Sequence, residues 1–439
     1  MTPDFSAATA AFYTLGCKLN FAETSTMGKL MAERGISRAT AGTAPDICVV
    51  NTCSVTAMAD KKGRQLIRHL HSEYPEATIV VTGCYAQLKP DEVAAIEGVD
   101  IVLGSDEKLR ICEYLDSWLA TREASVAVGR RDAMTEFRPS CERGDRTRYF
   151  LKVQDGCDYF CTYCTIPYAR GRSRSGSIGQ MVEQAREAAA AGGREIVLTG
   201  VNIGDFGRGS GESFFDLVRA LDEVEGIERY RISSIEPNLL TPEIIEWIAT
   251  ESRRFMPHFH IPLQSGSDAV LSLMNRRYDT KLFADRIRRI RQAIPEAFIG
   301  VDVIVGARGE SPEEWERSRS FIESLDVTKL HVFPYSERPG TSALALGGVV
   351  SQEEKHRRVA ELTAISDVKT GEFADAAVGQ TRPVLWEQAM RGGKMHGLTD
   401  NYLRVIAPYD SARINTVSYV RLGERDASRP DTLFAAELL

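Results

Sequence analysis

"DGCDYFCTYC", residues 155–164, carries three cysteines, Cys157, Cys161 and Cys164, and overlaps the end of the strand-like run "RYFLKVQDG". A zinc ribbon would use the Cys161/Cys164 pair together with a second Cys-x-x-Cys or Cys/His pair downstream. No cysteine follows Cys164. A thioredoxin-like redox pair at a helix start would leave Cys157 and the glycine before it unexplained. A motif just past a strand belongs to the carboxyl edge of a βα fold, where ligands bind. The chain beyond it agrees, because "REIVLTG", "RYRISSI", "HFHIPL", "FIGVDVIVG" and "KLHVFPY" read as further strands with helical segments between most of them. Six such units predict a partial (βα)6 barrel. Helix starts are marked at Thr241-Pro242 and at Ser311-Pro312-Glu313-Glu314, where Ser311 can cap and Glu314 can close a capping box.

Upstream, "AFYTL", "DICVVN", "ATIVVTG" and "DIVLG" alternate with amphipathic stretches such as "ETSTMGKLMAERG", the pattern of a small parallel sheet. Downstream of a long helical segment, "RPVLWEQ", "NYLRVIAP", "INTVSYVRL" and "TLFAAEL" predict a small OB-like β-barrel. The fold class is therefore α/β in three units, at 9–120, 148–375 and 376–439, with the charged, aperiodic stretch 121–147 read as a linker. No apolar run approaches the roughly 20 residues that span a bilayer. The start lacks a basic segment before an apolar one, so a cytoplasmic protein with no membrane partner is expected. Nine cysteines, an odd number dispersed over 439 residues, suit metal binding or catalysis better than disulfides in a reducing compartment. A formal charge of -7 neither supports nor excludes nucleic acid, since a basic groove can sit on an acidic whole.

A four-iron cluster is normally held by four thiolates, one per iron, so three leave one iron open. S-Adenosylmethionine can chelate that iron through its amino and carboxylate groups, placing its sulfonium where a reduced cluster can break a carbon–sulfur bond. Tyr163 is placed to pack beside the adenine; Gly200 and Asn202 of "LTGVN" and Gln264 after "HFHIPL" are further candidate contacts. A second trio stands on its own evidence. Cys17 follows "AFYTLG", Cys53 follows "ICVVNT" and Cys84 follows "TIVVTG", each just past a predicted parallel strand, and neighbouring parallel strands deliver those ends to one crevice. Cys48, inside a strand, and Cys112, on a helical stretch, read as core, and Cys141 receives no role. His258 and His260 share a strand face and read as satisfied interior residues. "GDFGRGSGES" lacks a P-loop lysine and reads as a flexible loop.

Cys-x-x-x-Cys-x-aromatic-Cys after a first strand resembles the radical S-adenosylmethionine superfamily, whose core is a partial (βα)6 barrel. The surrounding "GCDYFCTYCTIPYARGRSRS", "EIVLTGVNIGDFG", "RISSIEPNLLTPEI", "FHIPLQSGSDAVLSLMNRRY" and "DVIVG" are similar to the methylthiotransferases over nearly the whole chain. That resemblance implies two four-iron clusters, one on Cys157, Cys161 and Cys164 and an auxiliary one on Cys17 ("GCKLN"), Cys53 ("NTCSVT") and Cys84 ("TGCYAQ"). It also implies two uses of S-adenosylmethionine. One molecule methylates sulfur on the auxiliary cluster; a second is cleaved to a deoxyadenosyl radical that takes hydrogen from the substrate carbon, which then receives the methylthio group. An electron donor such as flavodoxin or ferredoxin is implied as partner.

"GCKLNFAET", "NTCSVTAMADKKGRQLIR" and "GLTDNYLRV" are most similar to bacterial members acting on threonylcarbamoyladenosine beside the tRNA anticodon. Their target is the adenine carbon between the two pyrimidine-ring nitrogens. The implied partner is thus a tRNA anticodon stem-loop with a splayed base. Members acting on isopentenyladenosine usually read "GCQMN", and those acting on a ribosomal protein aspartate differ after "NTC"; both stay open as targets. A different class also stays open: a non-catalytic RNA-binding protein whose cysteines hold zinc.

The tail resembles a TRAM domain, although its eight Lys or Arg against seven Asp or Glu over 376–439 predict only a modest electrostatic grip. Lys61, Lys62, Arg64 and Arg68, and Arg170, Arg172 and Arg174, are the better basic candidates for RNA. Two departures from the family pattern stand out: Gly306-Ala307-Arg308-Gly309-Glu310 where Gly-Phe-Pro-Gly-Glu is usual, a change expected to alter how that loop meets a ligand, and Ser173 in place of an acidic residue.

Overall fold

A computed structural model describes residues 8–40, 42–144, 146–387 and 392–439. β1 (Thr9–Thr14), β2 (Ser37–Arg38), β3 (Ile47–Thr52), β4 (Thr78–Gly83), β5 (Ile101–Leu103) and β6 (Ser125–Ala127) form one sheet in the order β2-β1-β3-β4-β5-β6. All its pairings are parallel. Every residue of β3 and β4 is buried, because both faces are covered. Met27 and Met31 of one helix pack with Ile47 and Val49, while Ile67 and Leu70 of another pack with Cys48 and Val50, the two-residue alternation of a strand. Register pairs Thr14 with Asn51 and Thr52 with Gly83. Cys17, Cys53 and Cys84 therefore leave the sheet at one edge.

The stretch read as a linker carries two strands. β6 adds to the edge of the first sheet, and β7 (Ser140–Glu142) pairs antiparallel with β8 (Tyr149–Lys152) of the next unit. Three residues are too few to show an alternation, so both strands exist through their neighbours rather than through their own pattern. Cys141 lies in β7, buried in the core of that unit.

All six predicted barrel strands are present: β8, then, beyond the two-stranded ribbon of β9 (Gln154–Asp155) and β10 (Arg174–Ser175), β11 (Glu195–Thr199), β12 (Arg229–Ile232), β13 (His258–Gln264), β14 (Phe298–Val305) and β15 (Lys329–Pro334). β8, β11 and β12 run parallel, as do β13, β14 and β15, and the bridges Tyr230–Phe255 and Ser234–His260 join the two groups. One continuous apolar core fills this unit. Ser311 caps its helix by accepting from the Glu314 N–H at 3.3 Å. Glu314 does not close a capping box; its carboxylate accepts from Ser267 Oγ instead. The Thr241 side chain makes no capping bond either.

The tail is a closed barrel, β16 (Thr381–Trp386), β17 (Lys394–Thr399), β18 (Arg404–Pro408), β19 (Val417–Arg425) and β20 (Thr432–Leu438), in the order β16-β17-β18-β20-β19. β17 was not among the four expected runs. Its "KMHGLT" has a glycine where a strand former would be read, because a Cβ at Gly397 would lie 2.3 Å from Val384 Cγ1. This barrel docks on the amino-terminal ends of the central strands. Arg231 donates to the carbonyls of Thr399 and Asp400, both at 2.7 Å, and Asn401 Nδ2 donates to the Glu296 carbonyl at 3.1 Å. The cysteine motif lies at the opposite, carboxyl ends. Among the described residues no helix is long and apolar enough to cross a membrane.

A candidate two-cluster active site

Backbone geometry fixes the barrel trio. Gly156 has φ +70°, and a Cβ there would stand 2.0 Å from the Arg172 carbonyl oxygen, so only glycine lets the chain turn into the motif. The Cys157 N–H donates to the Gly171 carbonyl at 3.1 Å, and the Cys164 N–H closes a turn on the Cys161 carbonyl at 3.0 Å. Thr162 is held from the far side of the barrel by the Met274 and Leu273 carbonyls at 3.1 and 2.8 Å. Arg276 places Nη1 3.1 Å from Cys161 Sγ and 3.5 Å from the Tyr163 hydroxyl, and pairs with Glu236.

Burial pushes the Cys157 and Cys164 thiols up to about 12. It raises Cys161 as well, with Arg276 opposing. A redox pair would need a lowered thiol.

The second trio is gathered by the glycines of its motifs. At Gly16, φ +99°, a Cβ would stand 2.6 Å from Cys53 Cβ; at Gly83, φ +96°, it would stand 2.3 Å from the Thr52 carbonyl oxygen. Asn20 Nδ2 ties the Cys17 and Cys53 loops together by donating to the Leu15 and Thr52 carbonyls, both at 3.0 Å. The thiols lie close enough to feel one another. Burial first, then Cys84 and Cys17, push Cys53 up to about 12, while Cys17 is the exposed member of the trio. Among the described residues no three His, Cys, Asp or Glu side chains form a group that could hold a single metal ion.

Cys17 and Tyr163, Gln264 and Asp302 line one cavity of about 410 Å³, so a cysteine of the first trio and a residue of the barrel motif face one space. Gln264 ends β13 with φ +67°, a conformation a non-glycine residue holds only under constraint. Both polar atoms of the Asn202 amide are buried without a partner, an unmet demand that a bound ligand would satisfy. Gly200 has a plainer explanation: a Cβ there would stand 2.7 Å from the Gln154 carbonyl oxygen.

Gln154 went unnoticed in the sequence. Its Oε1 accepts from the Val201 and Asn202 N–H groups and its Nε2 donates to the Gly156 carbonyl and to Ser173 Oγ. It thus joins the motif loop to the loop after β11, and Ser173, at the position of the missing acidic residue, serves that junction. Arg276 and Glu236 were missed too. His260 is satisfied by Asp302 at 2.7 Å, whereas buried His258 leaves Nδ1 unpaired. In the 306–310 loop, Arg308 is tied down by Glu337 and by the Leu344 and Leu346 carbonyls. The Ala307-Arg308 departure therefore braces the 337–346 segment.

Of the basic candidates for RNA, Arg170 is 1% exposed and Arg174 is enclosed beside Asp155; both belong to a buried ion network rather than to a surface. Arg172 is exposed, as are Lys61, Lys62 and Arg68, while Arg64 is held by Glu92 and Tyr85. Arg391 of the tail lies outside the described residues.

Residues 9–104 match the uncharacterized protein family UPF0004, and residues 151–322 match the radical SAM superfamily. The threonylcarbamoyladenosine tRNA methylthiotransferase MtaB of Bacillus subtilis is 40% identical over 407 residues, covering 91% of this chain and 90% of that protein. The protein of the same name from Aquifex aeolicus is 35% identical, over 90% and 95%. The tRNA-2-methylthio-N(6)-dimethylallyladenosine synthase of Geobacter metallireducens is 31% identical over 404 residues, 89% of this chain and 90% of that one. Among solved structures, the radical S-adenosylmethionine methyltransferase TsrM of Kitasatospora setae aligns with a TM-score of 0.57 at 14% identity, covering 76% of this chain and 77% of that one, a likeness of fold.

Proposed function

We propose, for a chain that belongs to the radical S-adenosylmethionine tRNA methylthiotransferases, that its substrate is N6-threonylcarbamoyladenosine next to the anticodon. The hydrogen on the adenine carbon between the two pyrimidine nitrogens is replaced by a methylthio group. The observation that carries the reading is the shared cavity: Cys17 of one trio and Tyr163, the residue before Cys164 of the other, open into a single space. Sulfur donor and hydrogen abstraction then act on one bound base. The choice of nucleoside is supported by the higher identity to relatives bearing the threonylcarbamoyladenosine name, 40% against 31%.

Cys157, Cys161 and Cys164 would hold the cluster that binds S-adenosylmethionine, and Cys17, Cys53 and Cys84 the auxiliary one; when bound, these groups supply the electron, the hydrogen-abstracting radical and the sulfur. The protein's own work is placement. Arg276 presents a positive charge to Cys161, and charge beside a ligand thiolate tunes its cluster. Asn202 and Gln264 would offer amides to S-adenosylmethionine, and Tyr163 an aromatic face. Ile304 and Phe333 add an apolar surface to the cavity wall. Reduction would come from a flavodoxin- or ferredoxin-type donor.

Nucleoside mass spectrometry of tRNA from a deletion strain tests the substrate. Loss of 2-methylthio-threonylcarbamoyladenosine, restored by the wild-type gene and not by Cys84→Ala, is expected. Loss of the methylthio group from isopentenyladenosine instead would overturn the choice.

A further inference from the structure

Between the two trios lies a buried cluster of charges that the chemistry above does not use. Arg170, the last residue of the short helix after Cys164, is 1% exposed. Its Nη1 donates to Glu23 Oε1 at 3.1 Å and to Asp155 Oδ1 at 3.0 Å; its Nη2 donates to Asn20 Oδ1 at 2.7 Å and to Glu23 Oε2 at 3.0 Å. Asp155 leads into the Cys157 loop, where its Oδ1 accepts from the Gly156 N–H at 2.8 Å. Asn20 binds the backbone of the Cys17 and Cys53 loops, and its Oδ1 lies 3.8 Å from Cys17 Sγ. One guanidinium therefore links the ligand loops of both trios, with no more than one side chain between it and either.

The charges around it do not balance. Glu23 and Asp155 face Lys108, Lys152, Arg170 and Arg174, two negative charges against four positive among the described residues. All but Arg174 are essentially inaccessible to water. Buried charge without a counter-charge is costly. The nearest anion in prospect is an iron–sulfur core held by three thiolates, which carries net negative charge.

We propose that Arg170 is the positioning residue of the auxiliary cluster: it fixes the Cys17–Cys53 loops against the Cys157 loop, and with Lys108 and Lys152 it supplies the buried positive charge that neutralises the cluster. The inference rests on the two-cluster reading above. It assigns this arginine to cofactor retention and redox tuning, not to RNA.

The test uses the full-length protein, anaerobically reconstituted, in a Cys157→Ala/Cys161→Ala/Cys164→Ala background so that only the second cluster loads. Iron per chain, the rate at which a chelator strips that iron, and the midpoint potential from an EPR-monitored titration are compared for Arg170 and Arg170→Gln. Loss of the positive charge is expected to move the potential in the negative direction and to speed iron loss roughly tenfold or more. Arg170→Lys, which keeps the charge and loses the fork, should retain the potential while still losing iron faster. An Arg170→Gln protein with unchanged potential and unchanged iron loss overturns the proposal.

Should Arg170→Gln fail to fold, Asn20→Ala keeps every charge and removes only the link to the thiol loops. It should speed iron loss without moving the potential, and wild-type behaviour on both counts again overturns the proposal. A background protein that binds no iron at all, instead of about four, sinks the two-cluster reading itself and this inference with it. About four irons with an indifferent Arg170 sinks this inference alone.

Discussion

Gly156 shows what a single position can carry. With φ +70° and a carbonyl oxygen 2.0 Å from where its Cβ would be, Gly156→Ala should destabilise the protein by more than about 1 kcal/mol. It should also loosen the barrel trio, read as a lower melting temperature and reduced iron uptake. His331 offers a test by pH. Burial, and next the neighbouring His260 ring 5.0 Å away, lower it from its ordinary 6.5 to about 4, so it is neutral in the fold and charged in the unfolded chain over that window. Its contribution to stability is complete above 6.5 and is lost as pH falls toward 4. Melting temperatures of His331→Gln and wild type should therefore converge at neutral pH and separate on acidification, with the wild type falling faster; buried His258, also held neutral, leaves part of the slope. At this scale the strand-end positions of Cys17, Cys53 and Cys84 were legible, because strand ends are written locally. Arg170 was not. Its partner Glu23 stands 147 residues away in sequence, and an arginine in a basic run reads as solvated until the fold encloses it.

Elements were legible where they are long and two-faced. The inner strands of the first sheet announce themselves by apolar runs, since helices cover that sheet on both sides. β6 and β7, three residues each, and β17, interrupted by Gly397, do not, because their pairing is decided by partners far along the chain. The turn between β17 and β18 shows the same dependence. Its carbonyls are held by Arg231, which is 1% exposed and pairs with fully buried Glu195 at 2.8 Å. Arg231→Met should cost about 3–5 kcal/mol, because a buried carboxylate loses its main counter-charge. Chemical denaturation should detect the loss, and limited proteolysis should find the tail barrel more readily released.

Across the whole molecule, the two units packed against the central strands sit at opposite ends of them: the cysteine motifs lie at the carboxyl ends of the strands, and the tail barrel docks at the amino ends. Sequence alone placed the six central strands, the N-terminal parallel sheet and a terminal barrel. It could not say that Cys17 and Tyr163 share a cavity, since that follows from how two separately folded sheets meet. The most direct test is iron and acid-labile sulfide per chain, measured after anaerobic reconstitution on the full-length protein and on Cys17→Ala/Cys53→Ala/Cys84→Ala. About eight irons are expected for the first and about four for the second, with the reducible four-iron EPR signal retained. Stoichiometric zinc in place of iron, or a triple variant that binds as much iron as the wild type, would contradict two clusters built on these six cysteines.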